Sequence, residues 1–92
     1  MAAIDTIRGK LRAGQYRFTV PHFIEEMEED DLIFDDIRSA IEGGAVKRRF
    51  THDQRGTRFE VVGPTTDGRW AAVVCRIKGT GELLLITTYM VE

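Results

Sequence analysis

The sequence predicts an α+β domain: a four- to five-stranded, mostly antiparallel meander sheet, with an N-terminal helix and two short helices packed on one face. Three observations carry that expectation. The last third of the chain holds two apolar, β-branched runs, RWAAVVCRIK and ELLLITTYMV, joined by the turn-prone Gly79-Thr80-Gly81, the signature of a buried hairpin. Two more alternating segments with short loops precede that hairpin, and strands joined by short loops pair antiparallel. Helical periodicity is confined to the first half, so the helices gather on one side of the sheet.

The elements follow in order. Residues Ala2 to Ala13 read as an amphipathic helix, with Ile4, Ile7 and Leu11 on one stripe and Gly14 as the stop. It is expected to dock on the sheet. Gln15 to Val20 is strand-like, with Tyr16 and Phe18 on one face. Pro21 suits a first helical turn, with Thr19 as the side chain able to cap it. That helix runs through Phe23, Ile24 and Met27, with Glu25, Glu26, Glu28 and Glu29 facing water. Three carboxylates near its end (Glu28, Glu29, Asp30) oppose the macrodipole and should weaken it. A second short helix starts with Asp35 and Asp36, buries Ile37, Ala40 and Ile41, and ends at Gly43-Gly44. In Ala45 to Thr51, alternation puts Val46, Arg48 and Phe50 on one face and Lys47, Arg49 and Thr51 on the other. Thr57 to Val62 sets Arg58, Glu60 and Val62 against Phe59 and Val61.

Ninety-two residues form one domain, 1–92, with residues 1–14 either docked or peripheral. The net charge of -2 hides an asymmetry. Glu25 to Glu42 holds nine acids and one base, whereas Lys47 to Arg58 holds five bases and one acid. The basic strip can hold a phosphate locally, although the whole-molecule field does not steer RNA toward it. The single cysteine, Cys75, reads as a buried small hydrophobe and excludes a disulfide framework or a multi-cysteine zinc site. No apolar stretch is long enough to span a bilayer and no secretory leader is evident, so the expectation is a cytoplasmic protein without a membrane partner.

No P-loop, dinucleotide fingerprint, nucleophile elbow or metal-binding histidine pair is present, and no cofactor or metal is expected. The carboxylates of Glu25 to Asp36 read first as a solvated helix face. Arg48 and Arg58, with Lys47, Arg49 and Arg55 nearby, offer guanidinium groups suited to phosphate. Pairing with Glu60 or with the helix acids would instead neutralise them. His22, early in a helix, is a candidate acid or base near neutral pH, against a packing role. His52 reads as an exposed loop residue. Thr87 and Tyr89 share a face of the last strand and can both donate to a phosphate, or are ordinary strand residues.

Short motifs carry a family resemblance: FTVPH at 18–22, IRSAIEGGAV at 37–46, FEVVG at 59–63 and ITTY at 86–89. Over roughly Tyr16 to Tyr89 the chain resembles the small bacterial domain-of-unknown-function family 4258, related to the RelE/ParE-like toxin folds. The resemblance implies an α+β fold and a metal-independent toxin-like ribonuclease, in which the ribose 2′-hydroxyl attacks the adjacent phosphate. It maps the family's helix-start histidine onto His22, and the terminal threonine and aromatic onto Thr87 and Tyr89. Arg49 then completes the catalytic set, with Lys47, Arg48, Arg55, Arg58 and Arg76 as nucleic-acid contacts. The implied partners are RNA and a cognate antitoxin.

The chain departs from the family where helix arginines are usual, carrying Glu26 and Asp30, and it has Asp31 where a glycine is usual. Either the phosphate site lies on the Arg48, Arg49 and Arg58 side, or activity is lost and the fold serves as a non-catalytic interaction module. Such a module would dock a partner, or a second copy as a homodimer, through its acidic helix or an open sheet edge.

Overall fold

The computed structural model describes residues 2–91; Met1 and Glu92, the limits of the predicted domain, lie outside the described residues. The elements run α1 (Ala3–Arg12), β1 (Tyr16–Phe18), α2 (His22–Glu29), α3 (Phe34–Gly43), β2 (Ala45–Phe50), β3 (Arg58–Pro64), β4 (Trp70–Ile77) and β5 (Leu83–Val91). The fold is α+β, as the sequence predicts. One five-stranded sheet has the order β1-β5-β4-β3-β2. The pairs from β2 to β5 are antiparallel, and β1 joins β5 in parallel through Tyr16–Leu83, Arg17–Leu84 and Phe18–Leu85. The sheet is therefore mixed, because β1 reaches β5 across the whole intervening chain and not through a tight turn.

The predicted hairpin supplies the centre. Ala71, Val73 and Cys75 of β4 and Leu83 and Leu85 of β5 are buried against Ile7, Phe23, Met27, Ile37 and Ile41 of the helices. At about 25 cal/mol per Å² of apolar surface removed from water, this one-sided core is the main stabilising term. α1 is docked and not peripheral: Ile7 and Leu11 are buried, and Arg8 donates to the carbonyls of Ile41 (3.0 Å) and Gly44 (2.8 Å). A guanidinium thus takes up carbonyls left open at the end of α3.

Three local expectations are corrected. Thr19 does not cap α2; its hydroxyl donates to the Ile86 carbonyl (2.7 Å), because the edge of β5 offers a competing acceptor. The helix begins at His22 with Pro21 before it and no side-chain cap. The end of α2 is also held more firmly than its charges suggest. Arg69, next to β4, donates to the carbonyls of Asp30 (3.1 Å) and Asp31 (2.9 Å) and pairs with Asp67. A cation from elsewhere in the chain thus supplies what the helix sequence lacks at its negative pole. Arg69→Met is expected to lower hydrogen-exchange protection in the last turn of α2 by roughly tenfold or more, leaving the centre of β4 protected. Unchanged protection there would remove Arg69 as the cap.

The third correction concerns β2. The register shifts between Val46 and Arg48, a bulge that puts Val46 beside Val61, Arg48 beside Glu60 and Arg49 beside Phe59. Simple alternation grouped Val46 with Arg48 and Phe50. The extra residue splits them, turning Arg48 and Phe50 to the face away from the helices.

Candidate functional site

The face of the sheet away from the helices is uncovered by any described element, and its strand register sorts the candidate residues into rows. Arg48, Glu60, Val74 and Thr87 form one row; Val62, Ala72 and Tyr89 form the next. On the other side lie Phe50, Arg58, Arg76 and Leu84. Neighbouring strands are about 4.8 Å apart, so the five strands make a platform roughly 20 Å across.

Glu60 is the hub of this platform. Its carboxylate is only 8% exposed, takes a bidentate bond from Arg48 (3.1 and 2.8 Å) and accepts from the Tyr89 phenol. The Arg48 hydrogen bonds hold the Glu60 carboxyl below its ordinary range despite burial, so it is ionised at neutral pH. Burial and then the Glu60 charge push the Tyr89 phenol up, which keeps it protonated.

A second carboxylate sits at the rim. Glu26 of α2 accepts from Thr87 Oγ1 (2.5 Å) and the Thr88 N–H (3.3 Å), and lies 3.4 Å from His22 Nε2. One turn later, Asp30 accepts from the Met90 N–H (3.0 Å). β1 pairs only with the first residues of β5, so the N–H groups of Thr88 and Met90 would otherwise face solvent. Carboxylates at i and i+4 on a helix project on one side, matching alternate residues of a strand. Glu26 and Asp30 are therefore edge covers.

The remaining candidates are scattered. Arg49 points to the helix side, its guanidinium 5.5 Å from the centre of the Phe59 ring, and is not brought together with His22, Thr87 or Tyr89. Lys47 lies at the bulge, exposed on the free edge. Arg55 and His52 are exposed in the loop after β2, which shapes an open depression of about 440 Å³ with Arg49, Phe50, Asp53 and Arg58. Cys75 is buried, and burial pushes its thiol up to about 12, so it stays an inert thiol. Among the described residues no cluster of His, Cys, Asp or Glu is arranged to hold a metal, and no helix is long and apolar enough to cross a membrane.

The structure thus links His22 through Glu26 to Thr87 at the β5 side of the sheet, while the Tyr89 hydroxyl turns across the open face to Glu60 and Arg48. Glu26 was not singled out from the sequence as a partner of His22, although their i, i+4 spacing was a usable signal. A protein-family model described as Domain of unknown function (DUF4258) matches residues 20–90. The chain belongs to that family. The DUF4258 match runs from Val20 to Met90, so α1 and β1 precede the family region, while α2 through β4, all of β5 but its last residue, and every candidate residue fall inside it. Comparisons with curated proteins and with solved structures gave no significant match.

Proposed function

We propose that this DUF4258 domain is a toxin-like, metal-independent endoribonuclease that cleaves RNA laid across the open face of the sheet, in a RelE/ParE-like manner. The observation that carries this reading is a run of contacts, from His22–Glu26–Thr87 at the β5 side of the sheet to Tyr89–Glu60–Arg48 across the open face. His22 accepts the proton of the ribose 2′-hydroxyl, and Glu26 orients the imidazole and balances the imidazolium that forms. The 2′-oxygen bonds to phosphorus as the bond to the 5′-oxygen breaks. The protonated Tyr89 phenol gives its proton to that leaving oxygen, and the neighbouring Arg48 steadies the phenolate until solvent reprotonates it. The products are a 2′,3′-cyclic phosphate and a 5′-hydroxyl. Arginines of the adjacent row take the charge that builds on the phosphoryl oxygens. An antitoxin covering this face is the corresponding partner.

Purified protein is expected to cleave a fluorogenic single-stranded RNA, with His22→Ala and Tyr89→Phe each slowing it by roughly 10²- to 10⁴-fold. No cleavage by the wild type, or His22→Ala as fast as wild type, overturns the reading.

One observation favours a non-catalytic interaction module on the same fold. The Thr87 and Tyr89 hydroxyls already donate to carboxylates, and Glu25, Glu28 and Glu29 leave α2 with an acidic exposed face. On this reading the wild type leaves RNA intact, and charge reversal at Glu28 and Glu29 dissolves a complex that size-exclusion chromatography detects.

A further inference from the structure

Arg58 and Arg76 stand directly opposite each other on β3 and β4. Like charges at such positions repel and destabilise the sheet. Both side chains are half-buried, and the Nε of each is shielded from solvent with no hydrogen-bond acceptor. A shielded charged donor without an acceptor carries a desolvation penalty larger than a neutral one. Several other arginines are closely paired, Arg12 with Glu42, Arg17 with Glu82 and Arg48 with Glu60. Here one carboxylate faces three cations. Asp53, from the loop between β2 and β3, lies 3.3 Å from Arg58 Nε, a contact that leaves that Nε without a hydrogen bond. The Arg55 N–H, and then the charges of Arg58, Arg55 and Arg76, hold the Asp53 carboxyl below its ordinary range. The guanidinium of Arg58 also lies 5.1 Å from the centre of the Phe50 ring, which supports it from one side.

We propose that Arg58 and Arg76 form a phosphate-binding site at the end of the open face, and that Asp53 occupies its margin as an internal counter-ion that phosphate displaces. Two guanidinium groups on neighbouring strands present paired N–H donors about 5 Å apart, a spacing that two oxygens of one phosphate group can bridge. The depression beside Phe50 and Asp53 leaves the approach to Arg58 open. Binding of phosphate stands apart from any reaction, whereas its use to anchor the RNA backbone rests on the ribonuclease reading.

The test is a titration of the labelled full chain at constant ionic strength, read from the arginine Nε–Hε signals in NMR spectra. The probes are inorganic phosphate, a trinucleotide RNA lacking terminal phosphates, and chloride as the control. Phosphate is expected to move the Arg58 and Arg76 signals together, with saturation, while chloride leaves them in place. Arg76→Gln and Arg58→Gln should each weaken binding tenfold or more, and Asp53→Asn should tighten it about fivefold by removing a competing charge. Arg17→Gln, at a distant paired arginine, should leave it unchanged. Arg76→Gln should also melt at or above the wild-type temperature, since it relieves repulsion. A response to the trinucleotide assigns the site to backbone diesters; a response to inorganic phosphate alone assigns it to free or terminal phosphate. Failure of both to move either signal, or binding unaffected by Arg76→Gln and Arg58→Gln, overturns the site. RNA cleavage is scored separately, so a bound but uncleaved trinucleotide removes the ribonuclease reading and leaves the site standing.

Discussion

Gly63→Ala is expected to cost about 3 kcal/mol or more of folding stability, a large part of the 5–15 kcal/mol typical of a small domain. A Cβ built on Gly63 falls 2.0 Å from the Ala40 carbonyl oxygen and 2.8 Å from Gly44 Cα. Both obstacles are backbone, so no rotamer change relieves them. β3 and the end of α3 must separate, opening the contact beneath Val61 and Ala40, both of which are fully buried. Gly44 is confined in the same way, its Cβ meeting the oxygens of Ala40 at 2.3 Å and Val62 at 2.4 Å. Gly79 has open space around it, and Gly79→Ala should stay within about 0.5 kcal/mol of wild type. Urea melts of the two variants decide the matter: equal midpoints would mean that helix and strand do not approach this closely.

Asp36→Ala should cost about 3 kcal/mol at neutral pH. The carboxylate is 3% exposed and accepts from the Ile33 N–H (3.0 Å), the Thr66 N–H (3.0 Å) and the Thr66 hydroxyl (2.6 Å). It therefore caps α3 and also ties the loop between β3 and β4 to that helix. Loss of a cap is worth about 1 kcal/mol, and each backbone N–H left without a partner adds about 1 kcal/mol or more. Burial works against the charged form, but the Thr66 and Ile33 bonds outweigh it, so the Asp36 carboxyl stays below its ordinary range. Asp67 is lowered to about 2, chiefly by Arg69 and then Thr65. A carboxyl lowered on folding contributes fully above its unfolded pKa of about 4 and loses that contribution as pH falls through the folded value. Wild-type stability should therefore be level near neutrality and decline below about pH 4. The gap to Asp36→Ala should narrow over the same range. A gap independent of pH would show that packing, and not the charge, sets the cost.

The parts legible in the sequence were those decided by neighbours along the chain. The apolar runs of β4 and β5 could be buried only at the centre of the sheet, and Gly43-Gly44 stopped α3 where the backbone needed to pass close to β3. The rest depended on distant segments. Parallel pairing of β1 with β5 joins Tyr16 to Leu83, and no local pattern encodes it. The bulge at Val46 and Arg48 inverted half of β2, because a period of two has no memory across an extra residue. Arg69 reads as an ordinary loop cation until the end of α2 is placed beside it. The site was legible as a set of residue types, and Arg48 did adopt the cross-strand partner Glu60. Which arginines lacked an acid could be learned only from register and burial.

The uncovered stretch of β5 and the edge of β2 are guarded against strand addition by unlike means. Past the short β1, the sites on β5 are filled by Glu26 and Asp30 from within the molecule. β2 keeps vacant sites but bears Lys47, Arg48 and Arg49, so two copies approaching strand to strand bring cation against cation. Screening by salt shortens the reach of that repulsion and leaves hydrogen bonds inside the molecule intact. Concentrated brine thus weakens the guard on β2 and leaves the covers on β5 in place.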